Sequence, residues 1–247
     1  MDTTNSNIPA IAATDVDVAS TWSQRVRLRG VNWTVQRGEY WVVGGPHGAG
    51  KTDLLMTVAG LNRPAAGSVR IFGREIVNAA EKEFLEQRAR IGFVFKGGGR
   101  MFTDLTVAEN VALAICYHRN CSLEDASAEV ASILEMTGLS SRASETAQTL
   151  GSDWLPRVGL ARALALKPEV LFLDEPGAGL AARHREWWLN FLAQLSAGAP
   201  QAGGRKMTLI AATNDFALWS GRGQLYGLIK DKQWQVVGEA AEFPQIE

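Results

Sequence analysis

The sequence predicts an α/β domain built around a parallel sheet, with a β-rich N-terminal part and a helical lobe inserted in the middle. Three observations predict it. Short apolar runs at 39–43 and 170–173 stop at Gly44-Gly45 and at Asp174-Glu175, as strands do where they leave a sheet. The run at 207–212 and the one at 169–173 are apolar on both faces, which suits the centre of a parallel sheet. Between the first strand and these two, over roughly 97–165, the apolar spacing changes to that of helices. A length of 247 residues with 46% hydrophobic side chains supports one such domain and a real core.

Taken in order, residues 1–10 read as a flexible N-terminus and 11–247 as the domain. Residues 11–75 are β-rich, with a strand at 68–72 between Gly67 and Gly73. A helix at 53–59 stops at Gly60. A strand at 91–95 precedes Lys96 and three glycines. Helices follow at 106–117 and, after the capping-box pattern Ser122-Leu-Glu-Asp125, at 123–134, where Leu123, Ala126, Val130, Ile133 and Leu134 share a face. Another helix is expected at 155–166 and one at 183–196, with strands at 225–229 and 234–237 closing the chain. A Gly/Ala/Pro-rich loop covers 198–205.

Composition excludes several classes. A formal net charge of -1 gives no electrostatic case for nucleic acid. Two cysteines make no disulfide scaffold. The polar, acidic start is unlike a signal peptide, and no run of about 18 apolar residues exists to span a membrane. A cytoplasmic chain that docks on a membrane partner is the expectation.

Two motifs carry the chemistry. Gly45-Pro46-His47-Gly48-Ala49-Gly50-Lys51-Thr52 lies between a strand and a helix and fits the phosphate-binding pattern G-x-x-x-x-G-K-[ST]. Glycines let backbone N–H groups curl around phosphate oxygens, and the helix adds its positive end. Lys51 would reach the β/γ-phosphates of ATP, and Thr52 would place its hydroxyl on Mg²⁺. In the second motif, Asp174 and Glu175 follow an apolar strand whose end sits beside the phosphate loop. Asp174 would hold Mg²⁺, and Glu175 would polarise the attacking water.

Together these motifs resemble the ABC (ATP-binding cassette) transporter ATPases over roughly residues 11–240. Residues 102–110 (FTDLTVAEN) are similar to the family segment after the Q-loop, and 157–164 (RVGLARAL) to its signature helix. The resemblance implies a P-loop NTPase (RecA-like) core with an N-terminal antiparallel β subdomain and an α-helical subdomain at about 97–165. It implies ATP and Mg²⁺ as ligands, a transmembrane permease and a second cassette as partners, and a place on the inner face of the membrane. It also makes Trp22 the residue that stacks on adenine. Residues 158–166 are further similar to importers that move phospholipid with MCE-type partners.

The chain departs from the family pattern at five places. Lys96 stands where the Q-loop has Gln, and a lysine cannot coordinate a metal. Leu150-Gly-Ser-Asp153-Trp154 stands at the signature, where a carboxylate about 4 Å from a phosphate charge would cost roughly 4 kcal/mol. Ala181 replaces the D-loop Asp, and Asn214 replaces the switch histidine. Asp53 follows Thr52 where the family carries a hydroxyl; it either repels the α-phosphate or turns away. Lys51, Glu175, Asn214 and Lys96 are therefore the expected catalytic set, in an ATPase that energises a transporter. The alternative is an impaired, regulatory ATP-binding subunit paired with an active cassette. Arg157 and Arg162 on the signature helix either shape the interface or are solvated. Trp33, Trp41, Trp187 and Trp188 are expected to pack. Cys116, His118 and Cys121 lack a fourth ligand for a metal.

Overall fold

A computed structural model describes residues 8–76, 81–200 and 203–239. Its centre is a six-stranded sheet in the order β10-β9-β3-β8-β7-β6. These strands are β3 (Tyr40–Gly44), β6 (Ile91–Val94), β7 (Val170–Asp174), β8 (Thr208–Thr213), β9 (Leu225–Lys230) and β10 (Gln233–Gly238). All neighbours run parallel except β10, which returns antiparallel on β9. Period-two alternation sorts each central strand between two cores. Trp41 and Val43 of β3, Val170 and Phe172 of β7, and Ile210 and Ala212 of β8 face one core. Tyr40 and Val42, Leu171 and Leu173, and Leu209 and Ala211 face the other. This is why the runs read as continuously apolar: both faces are covered.

The first core is closed by a four-stranded antiparallel sheet, β2-β1-β4-β5, from β1 (Ile11–Ala19), β2 (Val26–Val35), β4 (Ala66–Ile71) and β5 (Arg74–Glu75). Its inner residues Val16, Leu28 and Val69 meet Leu54, Leu55 and Val58 of helix α1 (Lys51–Val58) in the same cluster. Trp33 lies edge-on to Trp41 at 5.4 Å between centroids and 4.7 Å from Trp234, so both of the tryptophans expected in the core are there. The second core is covered by α6 (Ala182–Ala197), through Trp188, Leu189 and Leu192, and by Leu160 and Leu164 of α5 (Leu155–Leu164).

The inserted lobe contains α3 (Val107–Arg119), α4 (Leu123–Met136) and α5 around their own apolar cluster. Capping boxes start two of its helices, at Thr106/Glu109 for α3 and at Ser122/Asp125 for α4. Two short helices complete the order, α2 (Glu81–Ala89) and α7 (Phe216–Trp219). The sequence pattern does not announce α2, which carries no marked apolar face. Of the N-terminal segment expected to be flexible, residues 1–7 lie outside the described residues. Its last residue, Ala10, is buried and bonds Val35 and Phe72 through its backbone, so it is part of the fold. Among the described residues no helix is long and apolar enough to cross a membrane.

Candidate functional site

The loop from β3 into α1 folds as its glycines require. Gly50 caps the helix at φ +100°, a left-handed conformation that side chains rarely adopt. No side chain caps α1, so the N–H groups of its first turn face outward for an anion. Lys51 opens the helix and is buried. Its ammonium donates to the carbonyls of Gly45 (2.9 Å) and Pro46 (3.1 Å) and to Asn214 Oδ1, and lies 3.6 Å from Glu175 Oε1. Burial pulls its pKa below the usual lysine value; the Glu175 and Asp174 carboxylates oppose this and the Lys96 charge adds to it.

Strand β7 ends at Asp174, which lies opposite Ala212 of β8. Thr52 Oγ1 donates to both Asp174 carboxylate oxygens, at 3.0 and 2.9 Å. Burial raises the pKa of Asp174 and the nearby Glu175 charge adds to this, while the Thr52 hydrogen bond and the Lys51 and Lys96 charges hold it down. Glu175 turns out of the strand at φ +52°, a conformation costing about 1 kcal/mol for a residue with a Cβ, and its N–H is held by Ala212 O at 3.0 Å. Asn214 comes from the end of the neighbouring strand β8. Three adjacent elements thus aim their termini at Lys51. A buried carboxylate beside a hydroxyl is a hard-oxygen pair that suits Mg²⁺, which keeps water and phosphate as its other ligands.

Lys51, Thr52, Glu175 and Asn214 line a cleft of about 460 Å³ together with His47, Gly48, Asp53, Lys96, Arg27 and Trp22. Trp22 belongs to no core; it is 95% exposed on the connection between β1 and β2. Lys96 begins a tight turn, Lys96–Gly98. One of the glycines after it has a packing reason: a Cβ on Gly98 (φ +89°) would stand 2.3 Å from Leu155 O, so the turn lies directly on α5. Asp53 faces the cleft rim, where its carboxylate accepts from Thr21. Sequence reasoning did not find Thr21, Arg27 or Asn62. They lie outside any motif and beyond the phosphate loop in sequence, and only the fold brings them close.

The segment 150–154, read from the sequence as the signature, turns toward α6. Asp153 Oδ1 accepts from the N–H of Ala181 (3.3 Å), the N-cap of α6, whose own side chain caps nothing. Trp154 is edge-on to the buried His184 at 4.9 Å, with the Arg142 and Arg157 guanidiniums 4.2 and 4.8 Å from its ring centre. Arg157 also lies 3.8 Å over Trp187. It is buried, so it is not a solvated surface residue; burial, with Arg183 nearby, pulls its pKa down to about 10, which leaves it charged at neutral pH. Arg162 donates to Arg100 O at 2.8 Å. Among the described residues no group of three or more His, Cys, Asp and Glu side chains is placed to hold a metal, the Cys116–Cys121 segment included.

A further cleft, about 470 Å³, lies between α3, α5 and the segment 93–102. Phe93, Phe95, Phe102, Leu113 and Tyr117 line it, and Phe102 and Tyr117 are exposed.

Comparison with known proteins points to one family. A family model described as ABC transporter matches residues 28–178. The sulfate/thiosulfate import ATP-binding protein of Mycolicibacterium paratuberculosis is 38% identical over 176 residues, 71% of this chain and 47% of that protein. The energy-coupling factor transporter ATP-binding protein of Methanothermobacter thermautotrophicus is 37% identical over 171 residues, 68% of this chain and 54% of its own. The matched stretch thus spans about half the length of these curated relatives. Among solved structures, an ATP-binding cassette captured as a dimer after hydrolysis with ADP and Pi superposes with a TM-score of 0.79 at 25% identity, covering 92% of this chain and 98% of that one.

Proposed function

Because this chain belongs to the ABC transporter family, as its nucleotide-binding domain, we propose that it is the ATP-binding, ATP-hydrolysing subunit that energises a membrane transporter. One observation supports the reading: Lys51, the Thr52–Asp174 pair, Glu175 and Asn214 converge from three segments at one cleft, with an exposed aromatic at its rim.

In this reading the adenine of ATP stacks on Trp22 and its phosphates lie on the N–H groups of residues 45–52. Lys51 exchanges its carbonyl, Asn214 and Glu175 contacts for phosphate oxygens. Thr52 and Asp174 would hold Mg²⁺, which supplies charge neutralisation at the β/γ-phosphates. Freed from Lys51, the Glu175 carboxylate accepts a hydrogen bond, and then the proton, from the water that attacks the γ-phosphorus as the bond to the bridging oxygen breaks. Asn214 can donate to the γ-phosphate through its amide but carries no charge. Lys96 adds a positive charge where the family's glutamine touches metal and water.

The chain would act as one of a pair of cassettes, closing on ATP and reopening after hydrolysis. The aromatic cleft around Phe102 and Tyr117 is the surface for a permease segment, holding the chain at the inner face of a membrane. The test is phosphate release from purified protein with Mg-ATP beside Glu175→Gln and a separate binding assay. Turnover lost in the variant, with ATP binding kept, is the expected result. ATP binding without turnover in the unaltered protein would leave a binding subunit in place of an enzyme.

A further inference from the structure

We infer that Asp53 is a positioning residue that fixes the base-stacking Trp22 relative to the phosphate loop, and that it is not a phosphate contact. The inference deepens the proposed function and rests on Trp22 meeting the adenine.

Trp22 sits on the six-residue connection 20–25 between β1 and β2. That connection closes on itself through Ser20 N–H to Arg25 O (2.8 Å) and Gln24 N–H to Ser20 O (2.9 Å). The indole is 95% exposed, so packing does not place it. The neighbouring residue does. Thr21 donates to Asp53 Oδ1 twice, from its backbone N–H (3.0 Å) and from its hydroxyl (2.9 Å). Asn62 Nδ2 then donates to the same hydroxyl oxygen at 2.8 Å, so Thr21 is held by two parts of the chain beyond its own loop.

Asp53 lies in the first turn of α1, two residues after Lys51, and its carbonyl is gripped by Thr57 Oγ1 at 2.8 Å. One helical turn therefore carries the ammonium for the phosphates and the anchor of the loop for the base. The chemistry of the residue fits this task and not the other. An ionised carboxylate only accepts hydrogen bonds; it has nothing to donate to a phosphate oxygen, whereas two donors converge on it from Thr21. Hydrogen bonds to a charged group are also the stronger kind, so the loop is held firmly at a point adjacent to the tryptophan.

The experiment compares affinity for Mg-ATP with affinity for inorganic tripolyphosphate, which has the phosphates and no base, by equilibrium dialysis. The proteins are the unaltered chain, Asp53→Ala, Asp53→Asn, Thr21→Val and Trp22→Ala. Asp53→Ala and Trp22→Ala should weaken ATP by about tenfold and leave tripolyphosphate within twofold. Asp53→Asn keeps an accepting oxygen and should recover most of the loss. Thr21→Val removes the hydroxyl contact from the loop side, giving a smaller loss of about threefold, and it poses the same question if Asp53→Ala does not fold. A double variant of Asp53→Ala and Thr21→Val should be no weaker than Asp53→Ala alone.

Tighter binding of both ligands by Asp53→Ala would overturn the proposal in favour of repulsion at the phosphates. Loss in Trp22→Ala with none in Asp53→Ala would overturn the anchor alone and leave the base contact standing. No loss in Trp22→Ala would overturn both. Unaltered protein that binds neither ligand would remove the nucleotide site itself and this inference with it.

Discussion

On the β3–α1 side of the domain, charged and polar groups crowd an open cleft; on the α5–α6 side they are stacked between rings or tied to backbone. Lys51 is buried yet met by four acceptors, and the hydroxyl and carboxylates around it all have partners. Arg157 is just as buried, but its guanidinium lies over the rings of Trp154 and Trp187, and among the described residues its Nε has no hydrogen-bond partner. The first arrangement can trade its contacts for those of a ligand. The second is packing, because indole faces and guanidiniums that sandwich one another have little left to offer outward. Asp153 and Trp154, read from the sequence as part of the signature, both turn to α6 of their own chain.

The comparison breaks most readily at Lys51. Lys51→Ala should lower phosphate release by about 10³-fold, as loss of a preorganised charge at the phosphates does, while the protein stays folded by circular dichroism. Turnover within tenfold of the unaltered chain would mean that the cleft is not where the chemistry happens.

Next in size, Arg157→Ala should destabilise the domain by about 3 kcal/mol in urea unfolding, since it empties a space between two indoles and exposes their faces to each other across a gap. ATP affinity of the folded fraction should not change. An affinity loss without a stability loss would move Arg157 to the ligand side of the comparison.

A smaller effect is expected at Asp153. Asp153→Ala removes an acceptor for the α6 N-terminus and should cost about 1 kcal/mol of stability, read from the same unfolding curves. It should not raise the rate of phosphate release. A faster enzyme would show that the carboxylate does meet a phosphate in the paired state.

The smallest expected effect is a pH dependence. His184 is buried against Trp154, and among the described residues neither ring nitrogen has a hydrogen-bond partner. Burial lowers its pKa, and Arg157, Arg183 and Arg142 act in the same direction while Asp153 opposes them. A histidine with a lowered folded-state pKa is protonated more readily after unfolding, so its contribution is complete above the ordinary value of about 6.5 and fades as pH falls below it. Unfolding midpoints between pH 7 and 5.5 should therefore drop more in the unaltered chain than in His184→Leu. Equal slopes would show that His184 takes its proton without penalty.

Much of this could be read without coordinates. The runs at 39–43, 170–173 and 207–212 announced the buried strands, because a strand covered on both faces has no polar position to spare. The capping box at Ser122–Asp125 located the start of α4, a local contact between residues three apart. The phosphate loop was legible for the same reason: glycine-rich geometry, Lys51 and Thr52 all lie within eight residues. By contrast α2 has no apolar stripe to betray it, and the fate of Arg157 stayed open, since a lone arginine in a helix reads equally well as solvated.

The resemblance to the family made Trp22 the candidate base platform, while the sequence by itself determined the α/β class and the phosphate-loop and strand-end motifs at residues 45–52 and 174–175. These follow from short-range patterns in which the residue types and their spacing already contain the geometry. Tertiary structure alone decided what Asp53, Asp153 and Asn214 do. Asp53 meets Thr21 across 32 positions, Asp153 meets Ala181 across 28, and Asn214 meets Lys51 across 163. A carboxylate or an amide has the same repertoire anywhere in a chain, and which donor it satisfies depends on what the fold places within about 3 Å of it.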